Sequence, residues 1–433
     1  MRVGYLGLGA MGGALSAHLA RVLDLTVFDR NPQAMPALVA LGAKAARSPA
    51  ELARSCDVIL LCLPRTSDVQ DALFGEDGLA AELRPGTFVI DQTSGVPGLT
   101  NAIAQKLAAA GVRMLDAPVS GGIPAAQSGN VTIIVSGPDD AWAGAEGLLR
   151  AMSQKVFRCG DRVGDAQALK LVNNAIGAGY RIATLELVAL GRKLGLRLGR
   201  IVDALDAGQG ANFTTRNMLA GLVAGRSTTN FALSLMVKDL NEALALGSNA
   251  AAPMPMTAGA RGVMQIGLNL RGKDARLDDV IPLTEQLADI KLRDSESTSP
   301  SLLQHNLNEV ELLAMLELAA IACNAVAVFE CVAMGRNFGL RMDEMARILN
   351  VGSAWSDVSE RILPALAKNA QPRIGVTLGE ALDALKRLTR LAADTCVPLM
   401  LPNAAMGCLQ VALAAVDERT DLGSLNTLFR LSD

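Results

Sequence analysis

A lysine and two asparagines share one face of a predicted helix in the middle of the chain. Lys170 is followed by Asn173 and Asn174 at the third and fourth positions and by Gly177 at the seventh, in a mostly apolar segment. Residues with these spacings lie on one side of an α-helix. Burial lowers the pKa of an ammonium group, which would let such a lysine exchange a proton with a substrate hydroxyl. The alternative is a lysine whose stem covers the core while its ammonium reaches water.

A glycine-rich turn near the start of the chain has the pattern of a phosphate cradle. The sequence GLGAMG at residues 7–12 follows the apolar residues 3–6, and Asp29 ends the next apolar run. Glycines permit the tight turn, the close approach of a pyrophosphate and the packing of the following helix, whose N-terminus attracts the phosphates. Asp29 has the position of the carboxylate that binds ribose hydroxyls. The pattern predicts a dinucleotide site with NAD favoured over NADP, although the neighbouring Arg30 is able to pair with a 2′-phosphate.

Two polar turns follow predicted strands. In residues 116–122, Ser120, Gly121 and Gly122 offer a hydroxyl and unobstructed backbone N–H groups to a carboxylate, or form an ordinary turn. Ser94 follows another strand, where it would face the nicotinamide end of a dinucleotide or cap the next helix. Both turns are predicted at the carboxyl edge of a sheet, where ligands of α/β proteins bind.

Phe231 and Lys238 are spaced seven residues apart. If the segment is helical throughout, both lie on one face, two turns apart. A flat ring and a cation so placed could cover a nicotinamide and its phosphates. The alternative is a core phenylalanine beside a solvated charge.

Alternating strands and helices are predicted to position these groups. Short apolar runs cover residues 2–6, 25–28, 58–63, 87–91, 114–117, 131–135 and 156–158. This alternation predicts a Rossmann α/β domain over residues 1–162, with a doubly wound parallel sheet. Residues 165–196 read as one long helix, and helical patterns continue to the end of the chain.

The helical part contains an internal repeat. The sequence LELVALGRKLGL at residues 185–196 returns 144 positions later as FECVAMGRNFGL, and Pro253 and Pro398 keep nearly the same offset. We therefore expect an all-α region made of two repeated helical domains, at residues 163–290 and 305–433. The polar residues between them predict an exposed linker at 291–304.

Composition excludes several classes of protein. The net charge is −3, which gives no electrostatic reason to expect nucleic acid or an anionic membrane as partner. Charged residues interrupt the apolar stretches before they reach membrane-spanning length, and no targeting signal is visible. The seven cysteines are widely spaced and mostly in apolar runs, which indicates a reduced, cytoplasmic protein. With two histidines and no paired cysteines, we expect no metal site.

Together these segments resemble the β-hydroxyacid dehydrogenases, the family of 3-hydroxyisobutyrate dehydrogenase, tartronate-semialdehyde reductase and glyoxylate/succinic-semialdehyde reductase. The 6-phosphogluconate dehydrogenases are similar more distantly. The resemblance extends from residue 1 to about residue 290. It rests on four motifs in the family's order, at residues 7–12, 116–122, 164–174 and 231–240.

The resemblance implies an NAD(P)-dependent oxidoreductase that interconverts a small 3-hydroxy acid and its aldehyde or ketone by direct hydride transfer. Lys170 would be the general acid/base and Asn174 would help to orient the substrate. The remaining substrate contacts would come from Ser120, Gly121, Gly122 and Asn173. The cofactor, NAD with NADP as the alternative, would contact Gly7, Gly9, Ala10, Met11, Gly12, Asp29, Arg30, Leu63, Pro64, Ser94, Phe231 and Lys238.

The chain departs from the family pattern in two places. The usual Ser-Thr pair after the fourth predicted strand is Thr93-Ser94. Single-repeat members also end near the linker, and the second repeat has lost the chemistry of the first, since the counterparts of Lys170, Asn174 and Lys238 are Ala314, Leu318 and Asp383. We therefore expect a structural second repeat, which in a possible homo-oligomer would replace a partner's helical domain.

Two alternatives remain beside the dehydrogenase. Imine reductases on the same scaffold usually lack the lysine, so Lys170 and the Ser-Gly-Gly turn disfavour that activity. A non-catalytic dinucleotide-binding scaffold is disfavoured because Lys170 and Asn174 are both present.

Overall fold

The computed structural model describes residues 1–293 and 307–431. The chain forms two compact units, Met1–Lys170 and Leu171–Asp433. Most of the predicted linker, residues 294–304, lies outside the described residues. The boundary between the units falls within a long helix that begins at Asp165, so the end of the first unit carries the first turn of that helix.

The first unit is an α/β fold. Its strands are β1 (Val3–Leu6), β2 (Leu25–Phe28), β3 (Lys44–Ala45), β4 (Val58–Leu61), β5 (Phe88–Asp91), β6 (Arg113–Asp116), β7 (Val119–Ser120), β8 (Thr132–Ser136) and β9 (Lys155–Gly160). Its helices are α1 (Ala10–Leu19), α2 (Pro36–Val39), α3 (Pro49–Ser55), α4 (Thr66–Phe74), α5 (Pro97–Ala108), α6 (Gly122–Gln127) and α7 (Asp139–Met152). Strands and helices alternate along this unit, as the sequence predicts.

The sheet is doubly wound and mostly parallel. Strands lie in the order β3-β2-β1-β4-β5-β6-β8-β7, with β9 beside β8. On β4, Val58 and Leu60 belong to one apolar core, whereas Ile59 and Leu61 belong to another. Because successive side chains of a strand point to opposite faces, both faces of the sheet are buried.

The sheet departs from the parallel arrangement at one end. Strand β8 runs antiparallel to both β6 and β7, whereas all pairs from β3 to β6 are parallel. After β6 the chain turns back through β7 and the six-residue helix α6. A parallel neighbour would need a longer crossover to the opposite edge of the sheet.

The remainder of the described chain is helical. Its helices are α8 (Asp165–Lys193), α9 (Leu198–Ala207), α10 (Ala220–Val223), α11 (Leu233–Asn249), α12 (Pro255–Arg271), α13 (Val280–Ala288), α14 (Glu309–Phe338), α15 (Met342–Leu349), α16 (Asp357–Ala367), α17 (Leu378–Asp394), α18 (Met400–Ala412) and α19 (Leu425–Leu428). Helix α14 is apolar enough and long enough to cross a membrane, but 78% of its most apolar window is buried inside the fold. It is therefore placed as a core helix.

The helices from α14 onward repeat the order of those from α8 to α13. A short antiparallel bridge joins Ala232 to Arg276 in the first series, and a bridge 145 positions later joins Thr377 to Asp421 in the second. These matched bridges support the predicted internal repeat. A third bridge joins Asn212 to Ser356, residues at equivalent positions of the two series. Equivalent residues that pair with each other lie at a two-fold axis, so this bridge supports a pseudo-two-fold arrangement of the two copies.

Candidate functional site

The glycine turn between β1 and α1 fits a dinucleotide. Gly7 has a φ of +95°, and a Cβ on it would lie 2.4 Å from the Cys62 carbonyl oxygen. A Cβ on Gly12 would lie 1.9 Å from the Gly7 carbonyl oxygen, so both positions require glycine. A Cβ on Gly9 would meet open space. The turn thus leaves open space at the N-terminus of α1, where Ala10 and Met11 begin the helix, and a helix N-terminus attracts phosphates.

Asp29 fastens this turn to the end of β2. Its Oδ2 accepts a hydrogen bond from the Leu8 N–H at 2.6 Å, and its Oδ1 accepts one from the Asn31 N–H at 2.7 Å. Each carboxylate oxygen has a second lone pair with which to accept a ribose hydroxyl. The neighbouring Arg30 is exposed.

Other predicted cofactor residues follow the next strands of the sheet. Leu63 and Pro64 come after β4, and the Leu63 N–H donates to the Thr93 hydroxyl oxygen at 3.1 Å. Ser94 comes after β5 and is half-buried. Because β1, β4 and β5 are parallel, these residues all lie beyond the carboxyl edge of the sheet, on the same side as the glycine turn.

The Ser120 turn has a backbone that favours glycine. Ser120 ends β7 half-buried, and the next two residues, Gly121 and Gly122, have φ angles of +125° and +76°. Side chains at such angles are strained. These backbone angles therefore require glycine at both positions after Ser120.

The helix that carries Lys170 is anchored at its start by a buried carboxyl group. Asp116, at the end of β6, accepts hydrogen bonds from the N–H groups of Gly164 and Gln167, both at 2.9 Å, and from the Ser136 hydroxyl. Ser136 in turn accepts the Ala166 N–H at 2.8 Å. These bonds satisfy the first N–H groups of α8. Burial raises the pKa of Asp116 to about 7.

A second anchor comes from Gln167. Its Nε2 donates to Asp91 at 3.2 Å and to the Thr93 carbonyl at 3.1 Å, and its Oε1 accepts the Thr100 hydroxyl at 2.8 Å. Lys170, one turn further along α8, is 6% exposed. Sequence reasoning did not single out Gln167, because its three partners are 67–76 positions away.

The second unit contains a buried polar chain of its own. Asn173 donates to the Asn174 Oδ1 at 3.2 Å, and Asn174 donates to the Asp239 Oδ2 at 2.7 Å. The Lys238 ammonium lies 3.1 Å from the other oxygen of Asp239. Asp239 was not identified as a candidate from the sequence, because its position next to Lys238 was the only sign there that it belongs to the site. This carboxylate is 2% exposed and links the candidate substrate amides to the candidate cofactor lysine.

Phe231 is not on the helix that bears Lys238, which corrects the prediction that they share a helical face. Helix α11 begins at Leu233, after an extended Ala232. The Leu277 N–H donates to the Phe231 carbonyl at 2.8 Å, beside a short bridge that pairs Ala232 with Arg276. Phe231 is half-buried, and its contact with the cofactor remains a prediction.

Within the described part of the chain, no three histidine, cysteine, aspartate or glutamate side chains are grouped as a metal site requires.

Comparison with known families agrees with this geometry. A model described as the NAD binding domain of 6-phosphogluconate dehydrogenase matches residues 2–160. A model described as NAD-binding of NADP-dependent 3-hydroxyisobutyrate dehydrogenase matches residues 164–284 and 315–428. The chain belongs to the β-hydroxyacid dehydrogenase family. It is therefore an NAD(P)-dependent dehydrogenase, with the cofactor chemistry that the glycine turn indicates.

Curated relatives in this family align with about three fifths of the chain. L-Threonate dehydrogenase of Cupriavidus necator is 33% identical over 60% of this chain and 87% of its own length. 3-Hydroxyisobutyrate dehydrogenase of Pseudomonas aeruginosa is 32% identical over 64% of this chain and 95% of its own. The structure of Plasmodium falciparum 6-phosphogluconate dehydrogenase covers 96% of this chain and 94% of its own, with a TM-score of 0.70 and 15% identity. This β-hydroxyacid dehydrogenase thus shares the fold of that 6-phosphogluconate dehydrogenase over almost all of its length.

Proposed function

We propose that this β-hydroxyacid dehydrogenase interconverts a small 3-hydroxy acid and the corresponding aldehyde or ketone, with Lys170 as general acid/base. The observation that carries the proposal is the placement of one buried lysine on a helix whose N-terminus is fixed by Asp116 and Gln167. A lysine held in this way acts on a substrate oxygen at a defined position. The names of the two curated relatives, which are dehydrogenases of hydroxy acids, support this substrate class.

Each candidate residue has a task in this proposal. Ser120, Gly121 and Gly122 bind the substrate carboxylate through a hydroxyl and backbone N–H groups. Asn174, one turn beyond Lys170 on α8, orients the substrate hydroxyl with an amide that Asp239 holds. Lys170 takes the hydroxyl proton during oxidation and returns it during reduction. When bound, the nicotinamide accepts or gives the hydride at the carbinol carbon.

For the cofactor, we propose NAD in preference to NADP. Asp29 places a carboxylate at the end of β2, where it repels a 2′-phosphate and accepts ribose hydroxyls. The exposed Arg30 is the one feature on this loop that favours NADP.

A substrate screen tests the proposal. Purified enzyme is incubated with 3-hydroxy acids, 2-hydroxy acids, semialdehydes and cyclic imines, each with NAD or NADP in the matching redox state, while nicotinamide absorbance is followed. We expect turnover of 3-hydroxy acids or their semialdehydes. Turnover of imines alone would favour an imine reductase, and tight dinucleotide binding without any turnover would favour a scaffold.

A further inference from the structure

A loop of the second helical copy reaches the face of α8 that carries the candidate substrate residues. The Ser353 hydroxyl accepts a hydrogen bond from the Asn173 Nδ2 at 2.8 Å, and the Ala354 N–H donates to the Asn173 Oδ1 at 3.2 Å. Asn173 is 4% exposed. Its amide is therefore held from both sides by residues about 180 positions away in the chain.

Two glycines allow this close approach. A Cβ on Gly177 would lie 2.9 Å from the Ser353 hydroxyl oxygen, and a Cβ on Gly352 would lie 2.5 Å from the Asn173 Oδ1. Gly177 is one turn beyond Asn173 on α8, on the face where Lys170 and Asn174 are spaced. The loop thus lies along that face, which explains the glycine gap there.

The position of the loop is fixed by its pseudo-symmetric counterpart. The Phe213 N–H donates to the Trp355 carbonyl at 2.9 Å, and the Asp357 N–H donates to the Ala211 carbonyl at 3.0 Å. These bonds pair residues 211–213 of the first copy with residues 355–357 of the second. The loop is therefore a fastened element of the helical unit.

The reverse contact between the copies differs in chemistry. At the position equivalent to Asn173, Glu317 accepts the Gln209 backbone N–H at 3.0 Å, and Gln209 is the counterpart of Ser353. Of these two equivalent loops, the one at residues 351–357 presents a side-chain hydroxyl to an amide, whereas the one that contains Gln209 presents a backbone N–H to a carboxylate. In two identical subunits both loops would have the same sequence, whereas in this fused chain each loop can differ.

We propose that Ser353 is a positioning residue for the substrate site, so that the second copy sets the orientation of the Asn173–Asn174 amide pair in the first. This inference rests on the proposed function. The Ser353 hydroxyl oxygen accepts a hydrogen bond from one N–H of the Asn173 amide, which directs the other N–H of that amide toward the Asn174 Oδ1. Because the Asn174 Oδ1 accepts this bond and its Nδ2 donates to Asp239, the Asn174 amide has one orientation. Without the Ser353 hydroxyl, the Asn173 amide loses one of its two partners on the loop, and its hydrogen bond to the Asn174 Oδ1 is less well defined.

A double-mutant cycle tests this proposal in the full-length enzyme. The variants are Ser353→Ala, Asn173→Ala and the double variant, with Gln209→Ala as the matched control at the equivalent loop position. We expect Ser353→Ala to lower kcat about tenfold, as the loss of one buried hydrogen bond would. We expect KM for the dinucleotide to stay the same. In the Asn173→Ala background, Ser353→Ala should cause almost no further decrease in kcat. Equal effects of Ser353→Ala in both backgrounds, or wild-type kcat in Ser353→Ala, would overturn the proposal.

A measurement without turnover separates this inference from the proposed function. In protein labelled with 15N-asparagine, the side-chain NH2 signals of Asn173 and Asn174 are assigned by single substitution. Ser353→Ala should shift both pairs of signals, and Gln209→Ala should shift neither. An unmoved Asn174 signal would overturn the positioning role even if the enzyme is active. Full activity of Lys170→Ala would instead contradict the proposed function and leave the NMR result to decide on Ser353.

Discussion

Glu186 and Glu330 each cap the N-terminus of a helix in the other helical copy. Glu186 of the first copy accepts the Leu401 N–H at 2.9 Å, at the start of α18. Glu330, 144 positions later, accepts the N–H groups of Met256 and Thr257 at 2.9 and 2.7 Å, at the start of α12. Each carboxyl group thus satisfies helix N–H groups that would otherwise be buried without partners. The reciprocity supports a pseudo-two-fold interface that neither copy can form alone.

These two carboxyl groups should make stability depend on pH. Burial raises the pKa of Glu186 from 4.5 to about 8 and that of Glu330 to about 7. Between pH 4.5 and 8 the native state therefore holds protons that the unfolded state has lost, so stability falls as pH rises through this window. Glu186→Gln keeps an acceptor oxygen but has no proton to lose. We expect the variant to gain about 1–3 kcal/mol relative to wild type between pH 5 and pH 9.

Urea unfolding of both proteins at several pH values measures this difference. Glu76→Gln, which changes an exposed carboxylate, is the control and should follow the wild type at every pH. A difference between Glu186→Gln and wild type that does not change with pH would contradict the prediction.

Lys170→Ala should lower turnover by about two to four orders of magnitude, the usual contribution of a general acid/base. Dinucleotide affinity should be nearly unchanged, because the lysine acts on the substrate proton. Steady-state kinetics and a dinucleotide titration measure the two quantities. Lys155→Ala, at an exposed lysine of β9, should behave as wild type. Near-wild-type turnover of Lys170→Ala would refute the assignment.

Substitution of Asp29 should narrow the preference for NAD. Asp29→Ser removes the charge that repels a 2′-phosphate, and the ratio of kcat/KM for NAD to that for NADP should fall about tenfold or more. Asp29→Asn is the matched variant, since its amide oxygen can still accept the Leu8 N–H that holds the glycine turn. A wild-type enzyme that already uses NADP better would show that the cofactor prediction is wrong.

Removal of the second repeat should expose an apolar surface. Helix α14 belongs to the second repeat and is buried along most of its length, so its removal uncovers the residues against which it packs. Glu186 and Asn212 of the first repeat also lose hydrogen-bond partners in the second. A fragment of residues 1–295 should therefore aggregate or form new oligomers. Size-exclusion chromatography with light scattering, beside the full-length enzyme, measures this. A soluble fragment with the same oligomeric state and full activity would show that the second repeat has another role.

Local patterns in the sequence determined much of the fold and of the candidate site. The glycine turn, Asp29 and the strand runs are specified by neighbouring residues, because backbone angles and strand periodicity are short-range properties. The Ser48 cap of α3 is one example, since its hydroxyl accepts the Glu51 N–H three residues later. The spacing of Lys170, Asn173, Asn174 and Gly177 likewise defined one face of α8. The 144-residue offset predicted a second helical series.

Tertiary packing decided which distant residues meet. The antiparallel β8, the extended backbone at Phe231 and the partners of Gln167 all depend on contacts that no local pattern encodes. The same is true of Asp239 and Ser353, which became candidates only because the fold buries them against the asparagines of α8. A buried polar group must find a hydrogen-bond partner, but the sequence does not say which one. For Ser353, that choice is made when the two helical copies pack together. For Gln167 it is made within the α/β unit, and for Asp239 within the first helical copy.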